Sequence, residues 1–208
     1  MRKEFGKLIA ELAKKDDKII LVVGDIGFGI FDDFIKNFPD RYFNFGVCEQ
    51  SMVSAAAGMA LQGLKPYVYT ITPFITDRAF EQVKNDIHHQ KVNVKLVGYA
   101  DYPNFGPTHD ELAGKKEIMQ HFTNIVSYFP KTIEDVKKAV LESYESEKPA
   151  FISLKKVNAN KLNIHYICSG ECKGVSNNPG NCQAAHCSMY GKPLIMCDCE
   201  DGKHIHNK

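Results

Sequence analysis

The sequence predicts an α/β domain, a mostly parallel sheet with helices on both faces, followed by a small cysteine-rich tail. Three observations carry this expectation. Short β-branched runs alternate with helically spaced apolar positions up to about residue 155, at the spacing of right-handed βαβ crossovers. The alternation then stops, and Asn, Gly, Cys and His take over. Cysteine usage shifts at the same point: Cys48 stands alone in the first 167 residues, whereas Cys168, Cys172, Cys182, Cys187, Cys197 and Cys199 crowd the end. The expected division is 1–157 for the α/β domain and 158–208 for the tail.

The elements follow in order. Phe5, Leu8, Ile9 and Leu12 recur at helical spacing and lead into the run Ile19 to Val23, which ends at Gly24-Asp25. An apolar-faced stretch spans Phe31 to Phe38, Tyr42 to Phe45 is extended, and an Ala-rich helix runs from Glu49 to Leu61, closed by Gly63. Lys65 to Thr70 is the next strand. Arg78 to His88 has helical spacing, Val92 to Val97 is a β-branched run, Glu111 to His121 is helical, and Asn124 to Ser127 is extended. Thr132 is placed to cap the last helix, and Ala150 to Leu154 is the last strand of the series. Ligands of such sheets settle beyond the carboxyl ends of the strands. This directs attention to Asp25, Gly46, the segment Thr72 to Phe74, and the loop Gly98 to His109.

The 26 basic and 25 acidic residues are mixed along the chain, for a net charge of +1. No field of one sign exists to attract nucleic acid or an anionic membrane, so small molecules and proteins are the expected partners. No apolar run approaches the roughly 20 residues that span a bilayer. The start, MRKEFGKLIAELAKKDDK, is charged throughout and has no apolar signal region, so a soluble, cytoplasmic protein is expected.

Where the second strand turns into the Ala-rich helix, the chain reads Gly46-Val-Cys-Glu49-Gln50-Ser-Met52. Taken locally, Glu49 is a first-turn acid that complements the helix dipole. The wider pattern resembles the transketolase family, in which Gly-[IV]-x-Glu-[QH]-x-Met before a small-residue helix supplies the glutamate that binds the aminopyrimidine of thiamine diphosphate. Three further segments match in order. Gly63-Leu-Lys-Pro-Tyr-Val-Tyr-Thr70 is similar to the family's next strand, Thr72-Pro-Phe-Ile-Thr-Asp-Arg-Ala-Phe-Glu-Gln-Val83 to its aromatic pocket, and Gly106-Pro-Thr-His109 to its active-site loop. The resemblance covers about residues 3 to 155.

It implies that Glu49 activates the cofactor and that His109 contacts the substrate or intermediate. An aromatic wall for the pyrimidine is implied as well: Phe74 first, with Phe80 second and otherwise a core aromatic. Arg78 is a neighbour of the cofactor or a solvated helix residue. Asp25 resembles a family acid near the cofactor and is equally an ordinary turn residue. The connection Gly98-Tyr-Ala-Asp-Tyr-Pro-Asn-Phe105 is shorter and more aromatic than the family's glycine-rich one, which signals a different donor or acceptor.

The family's second half, which binds the diphosphate through Mg²⁺ with a Gly-Asp-Gly…Asn pattern, has no counterpart in the chain. Gly24-Asp25-Ile-Gly27-Phe-Gly29 is only superficially similar to it. The resemblance therefore implies a split transketolase. This chain would be the C-terminal-type subunit, the Mg²⁺ ligands would lie mostly on a separate diphosphate-binding subunit, and two copies of each would form a heterotetramer acting on sugars. A synthase or decarboxylase of the same superfamily, similar to 1-deoxyxylulose-phosphate synthase, is the alternative enzyme. A silent metal-binding scaffold is the non-enzymatic one.

In the tail, the closely spaced cysteines suit tetrahedral thiolate sites for Zn²⁺. Six cysteines with His204 and His206 could fill two sites, or four cysteines one site, and a disulfide framework is the remaining reading. The segment has too few apolar residues for a core of its own, so metal is expected to supply its folding energy.

Overall fold

The computed structural model describes residues 1–99, 115–155, 165–176 and 178–197. The chain divides into two compact units, 1–156 and 157–208. In the first, α1 (Arg2–Ala13) leads to β1 (Ile19–Val23), α2 (Asp32–Asn37), β2 (Tyr42–Asn44), α3 (Glu49–Leu61) and β3 (Lys65–Ile71). A helical segment over 74–89 follows, then β4 (Lys95–Tyr99), α5 (Lys115–Met119), β5 (Val126–Tyr128), α6 (Ile133–Ser146) and β6 (Ala150–Leu154). The six strands are all parallel, in the order β2-β1-β3-β4-β6-β5.

The central strands are buried on both faces, and their side chains alternate between two cores. Ile19, Leu21, Val23, Tyr67, Tyr69, Val97 and Ile152 point to the layer containing Phe5 and Ile9 of α1 and Val136 and Val140 of α6. Ile20, Val22, Val68, Leu96 and Phe151 point the other way, to Met52, Val53, Ala56 and Ala57 of α3. These helical positions recur at three and four residues, which explains why the Ala-rich segment folds as α3. Thr132 caps α6 as expected: its hydroxyl accepts from the Asp135 amide at 3.1 Å, and the Asp135 carboxylate accepts from the Thr132 amide at 2.9 Å.

Two expected elements differ. The helix expected over Arg78 to His88 begins at Phe74 and is mostly π-helical, with π turns at Phe74–Arg78 and Val83–His89 around the short helical turn Phe80–Gln82. Its core-facing residues, Ile75, Ala79, Val83 and Ile87, are spaced by four throughout. A strict four-residue repeat drifts around a 3.6-residue helix, and the extra residue taken up by each i→i+5 turn keeps the stripe on the sheet. The strand expected from Val92 begins only at Lys95, because the Val94 amide bonds back to the Val92 carbonyl in a tight turn.

The second unit holds a three-stranded antiparallel sheet, β8-β7-β9, from β7 (His165–Ile167), β8 (Val175–Ser176) and β9 (Ile195–Cys197). No helix among the described residues is long and apolar enough to cross a membrane.

Candidate functional site

The site is built where β1, β3 and α3 meet. Glu49 opens α3 and is fully buried, with its carboxylate in the first helical turn where the helix dipole favours negative charge. That dipole alone does not offset burial of a charge, and two partners complete the set. The Thr70 hydroxyl, buried on β3, donates to Oε1 at 3.2 Å, and Arg78 donates to Oε2 at 2.7 Å. Thr70 thus occupies Oε1, and Arg78 occupies Oε2.

Gly24, at the end of β1, presses its backbone against this pair. A Cβ there would lie 3.0 Å from Thr70 Oγ1 and 3.3 Å from Glu49 Oε1, so only glycine fits without displacing them.

Arg78 does more than neutralise Glu49. Its guanidinium carbon lies 3.7 Å from the centroid of the Phe74 ring, so one planar cation bridges the carboxylate and an aromatic face. The π turn from Phe74 to Arg78 places both residues to do this, and such turns concentrate at functional sites. Phe74 is buried and Arg78 is about one third exposed. The Thr72 hydroxyl, buried at the end of β3, has no hydrogen-bond partner among the described residues.

Asp25 is exposed and adopts a left-handed conformation, φ 52°. The Asn44 side chain fixes it, accepting from the Asp25 amide at 3.0 Å and donating to its carboxylate at 3.2 Å. The same Asn44 oxygen accepts from the Gly46 amide at 2.9 Å, which shapes the loop into Glu49. Phe80 instead lies against Phe122, ring centroids 5.2 Å apart. Of the residues singled out from the sequence, Glu49, Phe74 and Arg78 are brought together, while Asp25 marks the carboxyl end of the neighbouring strand. His109 lies outside the described residues. Gly24 and Thr70 lie in segments quoted from the sequence but were not singled out as site residues, since sequence does not show what a single glycine or strand threonine packs against.

A planar ring that stacked on Phe74 and hydrogen-bonded Glu49 Oε2 would make the two contacts the guanidinium makes now, so these residues fit an aminopyrimidine. A family model described as the transketolase pyrimidine-binding domain matches residues 1–161. The chain belongs to the transketolase pyrimidine-binding domain family. Its relatives include a putative transketolase C-terminal section of Methanocaldococcus jannaschii, 30% identical over 74% of this chain and 50% of that protein. A 1-deoxy-D-xylulose-5-phosphate synthase of Oleidesulfovibrio alaskensis is 32% identical over 71% of this chain and 23% of its own length. Among solved structures, an inactive beta4 tetramer of a split-gene transketolase superposes with TM-score 0.67 at 30% identity, over 74% of this chain and 51% of that one. The chain thus spans about half or less of the length of these proteins, and the family match stops short of most of the cysteine-rich unit.

In that unit the sulfurs of Cys168, Cys172, Cys182 and Cys187 lie within 4.8 Å of one another. Cys197, on β9, is buried but is not a member of this group, and Cys199, His204 and His206 lie outside the described residues.

Proposed function

We propose that this chain is the C-terminal-type, pyrimidine-binding subunit of a split transketolase-like enzyme that transfers a two-carbon ketol unit between sugars. The observation that carries the reading is the fully buried Glu49 whose Oε2 faces a planar group stacked on Phe74. Thiamine diphosphate, when bound, supplies a nucleophilic carbon that accepts and releases the ketol unit. The residues of this chain prepare the pocket. Thr70 holds Oε1, so that Oε2 is aimed to share a proton with a ring nitrogen. Phe74 provides the stacking face and excludes water. Arg78 swings away as the ring enters, since both its contacts are those the ring takes over. His109 contacts substrate and Asp25 stands near the cofactor in the same proposal.

The diphosphate and Mg²⁺ are assigned to a separate subunit carrying Gly-Asp-Gly…Asn, with two copies of each chain forming a cytoplasmic heterotetramer. Exposed apolar side chains support such a partner: Phe28 and Val47, in the loops at the carboxyl ends of β1 and β2, are 81% and 63% accessible. So does a further relative, described as one subunit of an apulose-4-phosphate transketolase from Actinobacillus succinogenes. The second reading, a synthase joining a two-carbon unit to a sugar phosphate, draws on the relatives described as 1-deoxy-D-xylulose-5-phosphate synthase.

The test is Glu49→Gln in the co-expressed pair, assayed against a panel of ketose donors with cofactor saturating. Turnover falls about 10²-fold or more while the subunits still co-purify. Full activity in the variant would leave only the scaffold reading.

A further inference from the structure

Most of the 157–208 unit lies beyond the family match, and its buried cluster is made of the residues that could bind an ion. Cys168, Cys182 and Cys187 are its buried members, and Cys172, Ala184, Met189 and Leu194 pack against them. Among the described residues of the unit, only Ile167 and Cys197 are buried besides these three thiols, too little burial to fold a segment of this size, so something must hold the sulfurs together.

The sulfur geometry says what. Cys168 Sγ lies 3.6 Å from Cys187 Sγ, and Cys172 Sγ lies 3.6 Å from Cys182 Sγ. Both separations are far longer than a disulfide bond of about 2.05 Å. They match the roughly 3.8 Å edge of a tetrahedron whose centre lies about 2.3 Å from each sulfur, the Zn–S distance. Two loops present the ligands as pairs. Cys168 and Cys172 lie in the turn between β7 and β8, while Cys182 and Cys187 precede the turn that leads to β9. In the first loop the Gly170 amide donates to Cys168 Sγ at 3.4 Å, the kind of outer contact that offsets thiolate charge. Gly170 must be glycine, because a Cβ there would stand 2.5 Å from Cys187 Sγ. Glu171 ties the two loops together, its carboxylate accepting from the Ser188 amide at 3.1 Å and from the Ser188 hydroxyl at 2.9 Å.

We propose that Cys168, Cys172, Cys182 and Cys187 form a single structural zinc centre that folds the C-terminal unit, with Cys197 outside it. Four thiolates in a closed tetrahedron leave no open position for a substrate, which makes the centre structural rather than catalytic. Iron is the other metal that tetrahedral sulfur selects.

The test uses the full chain purified under reducing conditions. Metal analysis is expected to find one zinc per chain. Alkylation followed by mass spectrometry is expected to find the four thiols protected until a strong chelator releases them together. Cys182→Ser lowers zinc content at least tenfold, whereas Cys197→Ser leaves it unchanged. Because Cys182→Ser could act by unfolding the loop, the chelator experiment on the unaltered chain stands independently. The proposal fails if iron replaces zinc, if the four thiols are freely alkylated before chelation, if Cys168 through Cys187 are recovered as disulfides, or if Cys197→Ser strips the metal.

Discussion

The two units of the chain solve the same problem by opposite means. Residues 1–156 bury whole layers of large side chains against a six-stranded sheet. The ring of Phe5 stacks on Tyr69 at 5.9 Å, and Phe31 meets Tyr69 edge-on at 4.9 Å. Each large apolar side chain fully withdrawn from water contributes about 1.5–3 kcal/mol, enough in number to offset the entropy of ordering the chain. Among its described residues, the 157–208 unit has a three-stranded sheet and a cluster of sulfurs in place of that core. A fold can therefore draw its stability from burial alone or, on the zinc proposal, from a bound ion, and one chain can use both.

The largest expected effect is metal removal. A strong chelator should abolish protection of the 157–208 backbone in hydrogen exchange and leave the sheet of 1–156 protected. If both units lost protection together, the contrast between them would break.

Next in size, Phe151→Ala, at a fully buried position of β6, should cost about 3–5 kcal/mol in the denaturant transition of the α/β unit. Zinc content should stay at one per chain, and a loss of metal would show that the units do not fold independently.

The third effect concerns Lys95, a buried amine at the start of β4 that donates to the Lys148 carbonyl at 2.6 Å. Burial, with repulsion from Lys65 next, pulls its pKa down to about 7. Between that value and the ordinary lysine value of 10.5 the unfolded chain binds the extra proton, so stability rises with pH across this window. Lys95→Met should flatten this rise in the α/β transition, and an unchanged slope would mean that Lys95 titrates normally.

Particular residues show how much was legible in the sequence. Strands such as Ile19–Val23 and Ala150–Leu154 could be read to the residue, because a parallel strand covered on both faces is apolar throughout. Glu49 reads locally as a first-turn acid, and only the resemblance of the Gly46 to Met52 pattern to the transketolase family singled it out. Its partnership with Arg78 was not legible, since it joins residues 29 apart and depends on a π turn that a four-residue stripe only hints at. The crowded cysteines led to the expectation of a metal site, but which four sulfurs come together is decided by the closure of two loops. Spacing alone left Cys197 and Cys199 on equal terms with them.

On the proposed function, the α/β unit forms one wall of a cofactor site that a separate subunit completes. Calorimetric titration of thiamine diphosphate with Mg²⁺ decides this, using this chain alone and then the chain co-purified with the subunit carrying Gly-Asp-Gly…Asn. No saturable binding is expected for the chain alone, and one cofactor per copy is expected in the pair, weakened by Phe74→Ala. Stoichiometric binding and sugar turnover by this chain alone would contradict it.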